Sequence, residues 1–178
     1  MFATIYLPNF YLQAAMRHQQ ELRAKPVALI EEQEKKPVII QLNEAAEKAG
    51  ICKGMTPSQA LARYLQIIIK ARAYAQEKSI QEMLLHFAFT LSPFVEATAP
   101  GVCTLQFTDR RDLTAKVSRV IEQLTECEIT AQAGIAPTPD TSLLIAHLAR
   151  PVLRVESPKE FLAPLPIEIL ARSFPDYW

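Results

Sequence analysis

Cysteine is scarce and scattered in this chain: Cys52, Cys103 and Cys127 are the only three among 178 residues, and none forms a C-x-x-C pair. That excludes the paired spacing of a zinc site and the even framework of a disulfide-stapled domain. It predicts buried free thiols in a reducing compartment. No charge sign dominates either, since 19 Lys and Arg balance 19 Asp and Glu. The basic excess that accompanies phosphate neutralisation is missing, so composition lends no support to nucleic-acid binding. Apolar runs such as Ile67-Ile68-Ile69 are far too short to span a bilayer. The first residues lack a charged region followed by a long apolar run, so no secretory leader is read there and the expected location is the cytoplasm. There is no repeat and no low-complexity segment.

Common catalytic and metal patterns are absent too. His18, His86 and His147 each lack an acidic or thiol partner at ligand spacing and read as ordinary surface or core histidines. Ser142 and Ser157 have no nucleophile elbow around them.

What is present is 49% hydrophobic and 21% charged residues, the balance of a globular protein with one large domain or two small ones. Short β-branched runs alternate with helical patterns, which predicts an α/β or α+β fold. Strands are expected at Ile5 to Leu7, Val27 to Ile30, Val38 to Ile40, Gln66 to Lys70, Val102 to Phe107, Thr130 to Ile135 and Val152 to Val155. Helices are expected near Tyr11 to Ala15, Asn43 to Ala49, from Pro57, and over Gln76 to Leu91, Asp112 to Leu124 and Thr141 to Ala149. Thr56-Pro57 opens one helix, and Ser157-Pro158-Lys159-Glu160 fits a capping box. The run Glu31-Glu32-Gln33-Glu34 reads as a solvated hairpin tip, and Gln81 to Leu85 as core. Residues 25 to 70 form a block between the first strand and the later elements, as a small inserted subdomain would.

In order, several stretches resemble the Y-family (translesion, UmuC/DinB-like) DNA polymerases. Pro8-Asn9-Phe10-Tyr11 followed by Glu21-Leu22-Arg23-Ala24-Lys25-Pro26-Val27-Ala28 resembles D-x-D-x-F-Y and E-L-R-x-K-P-V-A-V. Lys48 to Met55 resembles R-K-x-G-V-x-x-G-M, and Ala133-Gly134-Ile135-Ala136-Pro137 resembles S-V-G-I-A-P. Leu148 to Pro151 and Phe161 to Pro166 resemble L-A-K-P and F-L-x-x-L-P. The resemblance runs from Ile5 to Leu170. It implies an α+β fold: a ferredoxin-like palm (residues 1–24 and 74–166), an inserted α/β fingers subdomain (25–73), and in 167–178 a tail or the start of a thumb.

The same alignment shows departures. Nucleotidyl transfer uses carboxylates that hold two divalent ions. The resemblance places those positions on Tyr6, Gly101 and Val102, none of them acidic. Triphosphate-holding positions fall on Glu44, Glu47 and Leu143. The expectation is therefore a non-enzyme of ImuB type, with no cofactor and no metal, acting as an accessory scaffold in bacterial DNA damage tolerance. The resemblance implies as partners a RecA-like ImuA protein, the sliding clamp and an error-prone replicative-type polymerase, through segments beyond this chain. Arg110 and Arg111 are the residues expected to touch DNA, weakly. Two other readings stay open: a nucleotidyltransferase with relocated acids such as Glu96, Asp109 or Glu44, and a ferredoxin-like interaction domain unrelated to DNA.

Overall fold

The computed structural model describes residues 1–32 and 35–167. Its elements begin β1 (Phe2–Tyr6), α1 (Phe10–Ala15), β2 (Val27–Ile30), β3 (Ile39–Leu42), α2 (Glu44–Lys48), α3 (Pro57–Arg63), β4 (Ile68–Ala71) and α4 (Tyr74–Leu91). They continue with β5 (Val95–Ala99), β6 (Val102–Gln106), α5 (Leu113–Glu126), β7 (Gln132–Ala136), α6 (Pro139–Leu148), β8 (Val152–Arg154) and α7 (Pro158–Leu162). The chain divides into two compact units: Met1–Pro8 with the residues from Glu82 onward, and Asn9–Gln81. No helix among the described residues is long and apolar enough to cross a membrane.

The first unit is built on a sheet of order β5-β6-β1-β7-β8. β1 lies at its centre, antiparallel to both β6 and β7, and β8 adds parallel to β7. Side chains alternate along a strand, so β1 sends Ala3 and Ile5 to one face and Phe2, Thr4 and Tyr6 to the other. On the first face Ile5, Leu105 and Ile135 are fully buried. α5 packs against β7 and β8, and Val117, Val120, Ile121 and Leu124 form its buried stripe.

The second face is covered by α6, which packs on β7 and β1. Gly134 permits this. A Cβ at that position would lie 2.2 Å from the Ser142 carbonyl oxygen and 2.3 Å from the Ala146 nitrogen, closer than any real contact. Because α6 sits so low, Thr4 is fully buried on this face although it is polar, and its hydroxyl lies 2.7 Å from that of Ser142 and 3.1 Å from that of Thr104. Thr98 donates to Thr104 at 2.9 Å, and Ser142 donates to the Pro139 carbonyl at 2.7 Å. The chain of hydroxyls leaves none of these buried oxygens unsatisfied.

The second unit has a three-stranded sheet of order β3-β2-β4. β2 is antiparallel to β3 and parallel to β4. Being central, β2 is buried along its whole length, which is why Val27-Ala28-Leu29-Ile30 reads as a continuous apolar run. Ala28 and Ile30 pack with Ile39, Leu42, Ile51 and Ile67, while Val27 and Leu29 pack with Leu12 and Leu22. Asn43 caps α2 by accepting from the Ala46 N–H, and its side chain also reaches Val27 and Lys25. Thr56 and Gln59 form a reciprocal capping box on α3.

The α+β class expected from the sequence is the one observed. Several local expectations differ. β5 was not foreseen, because four of its five residues are exposed and it shows no apolar alternation. Ser157 makes no side-chain capping bond, so the capping box read at α7 does not form. Cys52 is exposed and only Cys103 is fully buried, so the three thiols are not a buried set. Glu31, expected in a solvated tip, is held by Arg72; Gln33 and Glu34 of that run lie outside the described residues, as do the residues beyond 167.

The close seat of α6 gives a direct test. Gly134→Ala drives a methyl into helix backbone that cannot move without shifting β7, and the expected loss is about 3 kcal/mol. Gly54→Ala, at φ 84 but with nothing within 4 Å, meets backbone strain alone and is expected to cost about 1 kcal/mol. Urea unfolding of the two variants measures the contrast; equal losses would mean that α6 does not sit as described.

Candidate functional site

β1 ends where the β5–β6 turn begins. Tyr6 pairs directly with Val102, and the Leu7 N–H donates to the Gly101 carbonyl at 2.8 Å. Gly101 has φ 72, a left-handed turn residue that lets β5 and β6 reverse tightly. The structure thus brings together Tyr6, Gly101 and Val102, the three positions that the sequence resemblance singles out. Above them stands His147 from the last turn of α6, with its ring centroid 4.0 Å from that of Tyr6 and the planes tilted by 37°. Burial raises the Tyr6 phenol above its ordinary pKa and lowers the His147 imidazole below its own. Both side chains are therefore neutral near pH 7.

This donor set was tested against a magnesium ion, the metal the resemblance implies. Magnesium takes hard oxygens in octahedral array, from carboxylates, phosphates and water. A neutral phenol, a neutral imidazole, a glycine and a valine do not fit it. Among the described residues no group of three or more His, Cys, Asp and Glu stands where it could hold a metal.

The other singled-out residues lie on other elements than Tyr6 and Val102. Glu44 and Glu47 project from the exposed side of α2, opposite buried Ala46. Glu44 pairs with Lys48 at 2.6 Å, and that hydrogen bond lowers its carboxyl pKa. Leu143 is half-buried on α6, in the first unit. Arg110 and Arg111 are exposed after β6; the Asp109 carboxylate accepts from the Arg111 backbone N–H at 3.0 Å and from its Nε at 3.1 Å.

Sequence reasoning missed two features. His147 was read as isolated, and only the packing of α6 on β1 places it over Tyr6. The second is Arg72, at the end of β4. Its Nε and Nη2 donate to Glu77 at 3.0 and 2.6 Å, and its Nη1 donates to Glu31 at 2.9 Å. The guanidinium carbon lies 4.1 Å from the Tyr11 ring centre and 4.6 Å from that of Tyr74, whose hydroxyl donates to Glu31 at 2.7 Å. Hydrogen bonding to Glu77 raises the Arg72 pKa beyond its already high value. The partners come from α1, the end of β2 and α4, so no single spacing in the sequence announces them.

Two measurements follow from these environments. The His147 pKa is lower in the fold than in the unfolded chain, so its neutral form is the one the fold favours. Stability is then fully present above the unfolded value of about 6.5 and is lost as pH falls below it. His147→Phe keeps a ring on Tyr6 and is expected to lose less stability than the parent between about pH 7.5 and 5; identical pH curves would contradict the burial of His147. For the second, Arg72→Met strands Glu77, which is only 7% exposed, and is expected to cost about 3 kcal/mol in urea unfolding. A change below about 0.5 kcal/mol would show that the network is solvated and weak.

Comparison with known proteins places this geometry. The model of the impB/mucB/samB family matches residues 5–147. DNA polymerase IV of Ralstonia nicotianae is 27% identical over 170 residues, which is 90% of this chain and 48% of that protein. DNA polymerase IV of Shewanella halifaxensis is 25% identical over 167 residues, 89% of this chain and 47% of that protein. The chain thus spans about half the length of the curated relatives it matches. Among solved structures, a post-insertion binary complex of Dbh DNA polymerase superposes with TM-score 0.83 at 16% identity, covering 94% of this chain and 52% of that one. DinB from Sulfolobus solfataricus gives TM-score 0.82 at 17% identity, covering 99% of this chain and 57% of that one. At such identities the structural likeness speaks for the fold.

These findings correct one expectation. The sequence reading made the chain a non-enzyme, yet the curated relatives that match it over nine-tenths of its length are named as DNA polymerases, which are enzymes. The reading drew a property of a whole protein from three side chains at one corner. Magnesium sites are commonly completed by water and substrate phosphates around one or two carboxylates, so three non-acidic positions do not decide that property.

Proposed function

Since this chain belongs to the impB/mucB/samB family, we propose that it forms the palm and fingers of a Y-family, polymerase IV-like protein of bacterial DNA damage tolerance, in the accessory manner of the ImuB type. Residues 1–24 and 74–166 are the palm and 25–73 the fingers in this reading, with 167–178 leading towards a thumb. The observation that supports the accessory role, which concerns what this chain adds to translesion synthesis and not whether it is an enzyme, is the corner at Tyr6. Where the family resemblance calls for carboxylates, a neutral phenol stacks on a neutral imidazole beside Val102. The exposed carboxylates Glu44 and Glu47 add to this, because at the positions the resemblance gives to triphosphate-holding groups they would repel a phosphate. The chain contributes shape and surface to translesion synthesis. By resemblance its partners are a RecA-like ImuA protein, the sliding clamp and an error-prone replicative-type polymerase, engaged through segments outside this chain.

DNA is the ligand this reading requires, and the charge balance sets its strength. With net charge 0 and Arg111 tied to Asp109, no basic excess is present to draw phosphates. Primer–template DNA is expected to bind at the non-specific level of roughly 10⁻⁴ to 10⁻⁶ M, falling further as salt rises. Fluorescence anisotropy with a labelled primer–template measures it. Sub-micromolar binding at physiological salt, lost on replacing Arg110 and Arg111 by Ala, would show a basic surface stronger than this reading allows. Magnesium-dependent primer extension by the chain itself would overturn the scaffold role in favour of nucleotidyl transfer.

A further inference from the structure

At the end of β1 remote from Tyr6, the same sheet face holds an open cavity of about 250 Å³. Strand register explains its floor. Phe2 pairs with Gln106 and Glu96 pairs with Thr104, so four side chains from three adjacent strands rise on one face. Phe94 and Pro139, the first residue of α6, stand at its sides. Phe94 is 57% exposed, although a phenylalanine gains from burial. Among the described residues no cationic side chain lines the cavity. Among the described residues, the Glu96 carboxylate and the Gln106 amide make no side-chain hydrogen bond or ion pair.

Aromatic walls and an unpaired carboxylate call for a cation: ring faces attract positive charge, and a carboxylate completes it with directed bonds. The other unit shows the same combination satisfied from within, because Arg72 lies against Tyr11 and Tyr74 and bonds Glu31 and Glu77. Among the described residues of the first unit, none fills that role. We infer that the cavity formed by Phe2, Phe94, Glu96, Gln106 and Pro139 receives the guanidinium of an arginine carried on an extended segment of a partner protein. An arginine suits it better than a lysine. Its planar fork donates two parallel bonds to one carboxylate, keeps a third donor for the Gln106 amide oxygen, and lays a flat face on a ring. β5, which contributes Glu96, is the edge strand of its sheet and is exposed over most of its length, so a partner strand can lie along it. A nucleic acid is the poorer occupant, since its phosphates would approach Glu96 with no cation among the described lining residues. The inference does not depend on DNA binding by this chain.

The test is a nuclear magnetic resonance titration of the isotope-labelled 178-residue chain. The probe is an acetylated, amidated pentapeptide with a central arginine flanked by valine and threonine. Amide signals of residues 94–97 and 105–106 are expected to move. The citrulline peptide, which keeps the shape and loses the charge, is expected to bind at least about tenfold more weakly. Glu96→Gln and Phe94→Ala are each expected to weaken the arginine peptide by about tenfold. Both residues are exposed, so the thermal midpoint should stay put and a lost signal cannot be blamed on unfolding. Equal binding of the two peptides would overturn the inference, as would shifts confined to other residues or no shift at millimolar peptide. So would a short single-stranded oligodeoxynucleotide that moves these signals when the peptide does not. Primer–template binding in the same samples is read separately, so either conclusion can fail alone.

Discussion

The approach of α6 to the central sheet at Gly134 is the contact on which the first unit depends. A side chain there would collide with helix backbone, and its absence lets α6 settle onto β7 and β1. Three consequences follow from this one close approach. Ser142 reaches Thr4 and closes the buried hydroxyl chain, His147 comes down over Tyr6, and Pro139 stands beside the cavity at the other end of β1. Candidate corner, core and cavity are thus parts of one helix–sheet contact. Raising that helix by a methyl group would disturb all three.

Electrostatics divides the molecule more sharply than composition does. The net charge is zero, yet charge is handled in opposite ways at different places. At the Tyr6 corner burial keeps both titratable rings neutral. In the second unit burial is tolerated by a full cation, because Arg72 meets two carboxylates and two aromatic rings at once. On the rim of the first unit Glu96 carries a carboxylate with no partner among the described residues. The fold of this family here combines a charge-free corner with an acidic, aromatic cavity.

The fold was largely legible because its strongest signals are local. β2 announces itself as Val27-Ala28-Leu29-Ile30 because a central strand buried on both faces leaves an unbroken apolar run. α5 announces itself through Leu113, Val117, Val120, Ile121 and Leu124, one face of a helix. β5 was not legible, since an exposed edge strand has neither signal. Ser157 misled in the other direction: its sequence carries a capping box, but its side chain makes no capping bond.

The sequence by itself determined the order and type of most elements, the family pattern and the non-acidic identity of Tyr6, Gly101 and Val102, because composition, periodicity and short motifs are properties of neighbouring residues. Only the tertiary structure decided that Tyr6 lies against His147, that Arg72 gathers Glu31, Glu77, Tyr11 and Tyr74, and that Phe2, Phe94, Glu96 and Gln106 share one cavity. Each of these joins residues distant in the chain through strand register and helix packing. Neither leaves a periodic trace for a reader of the sequence to find.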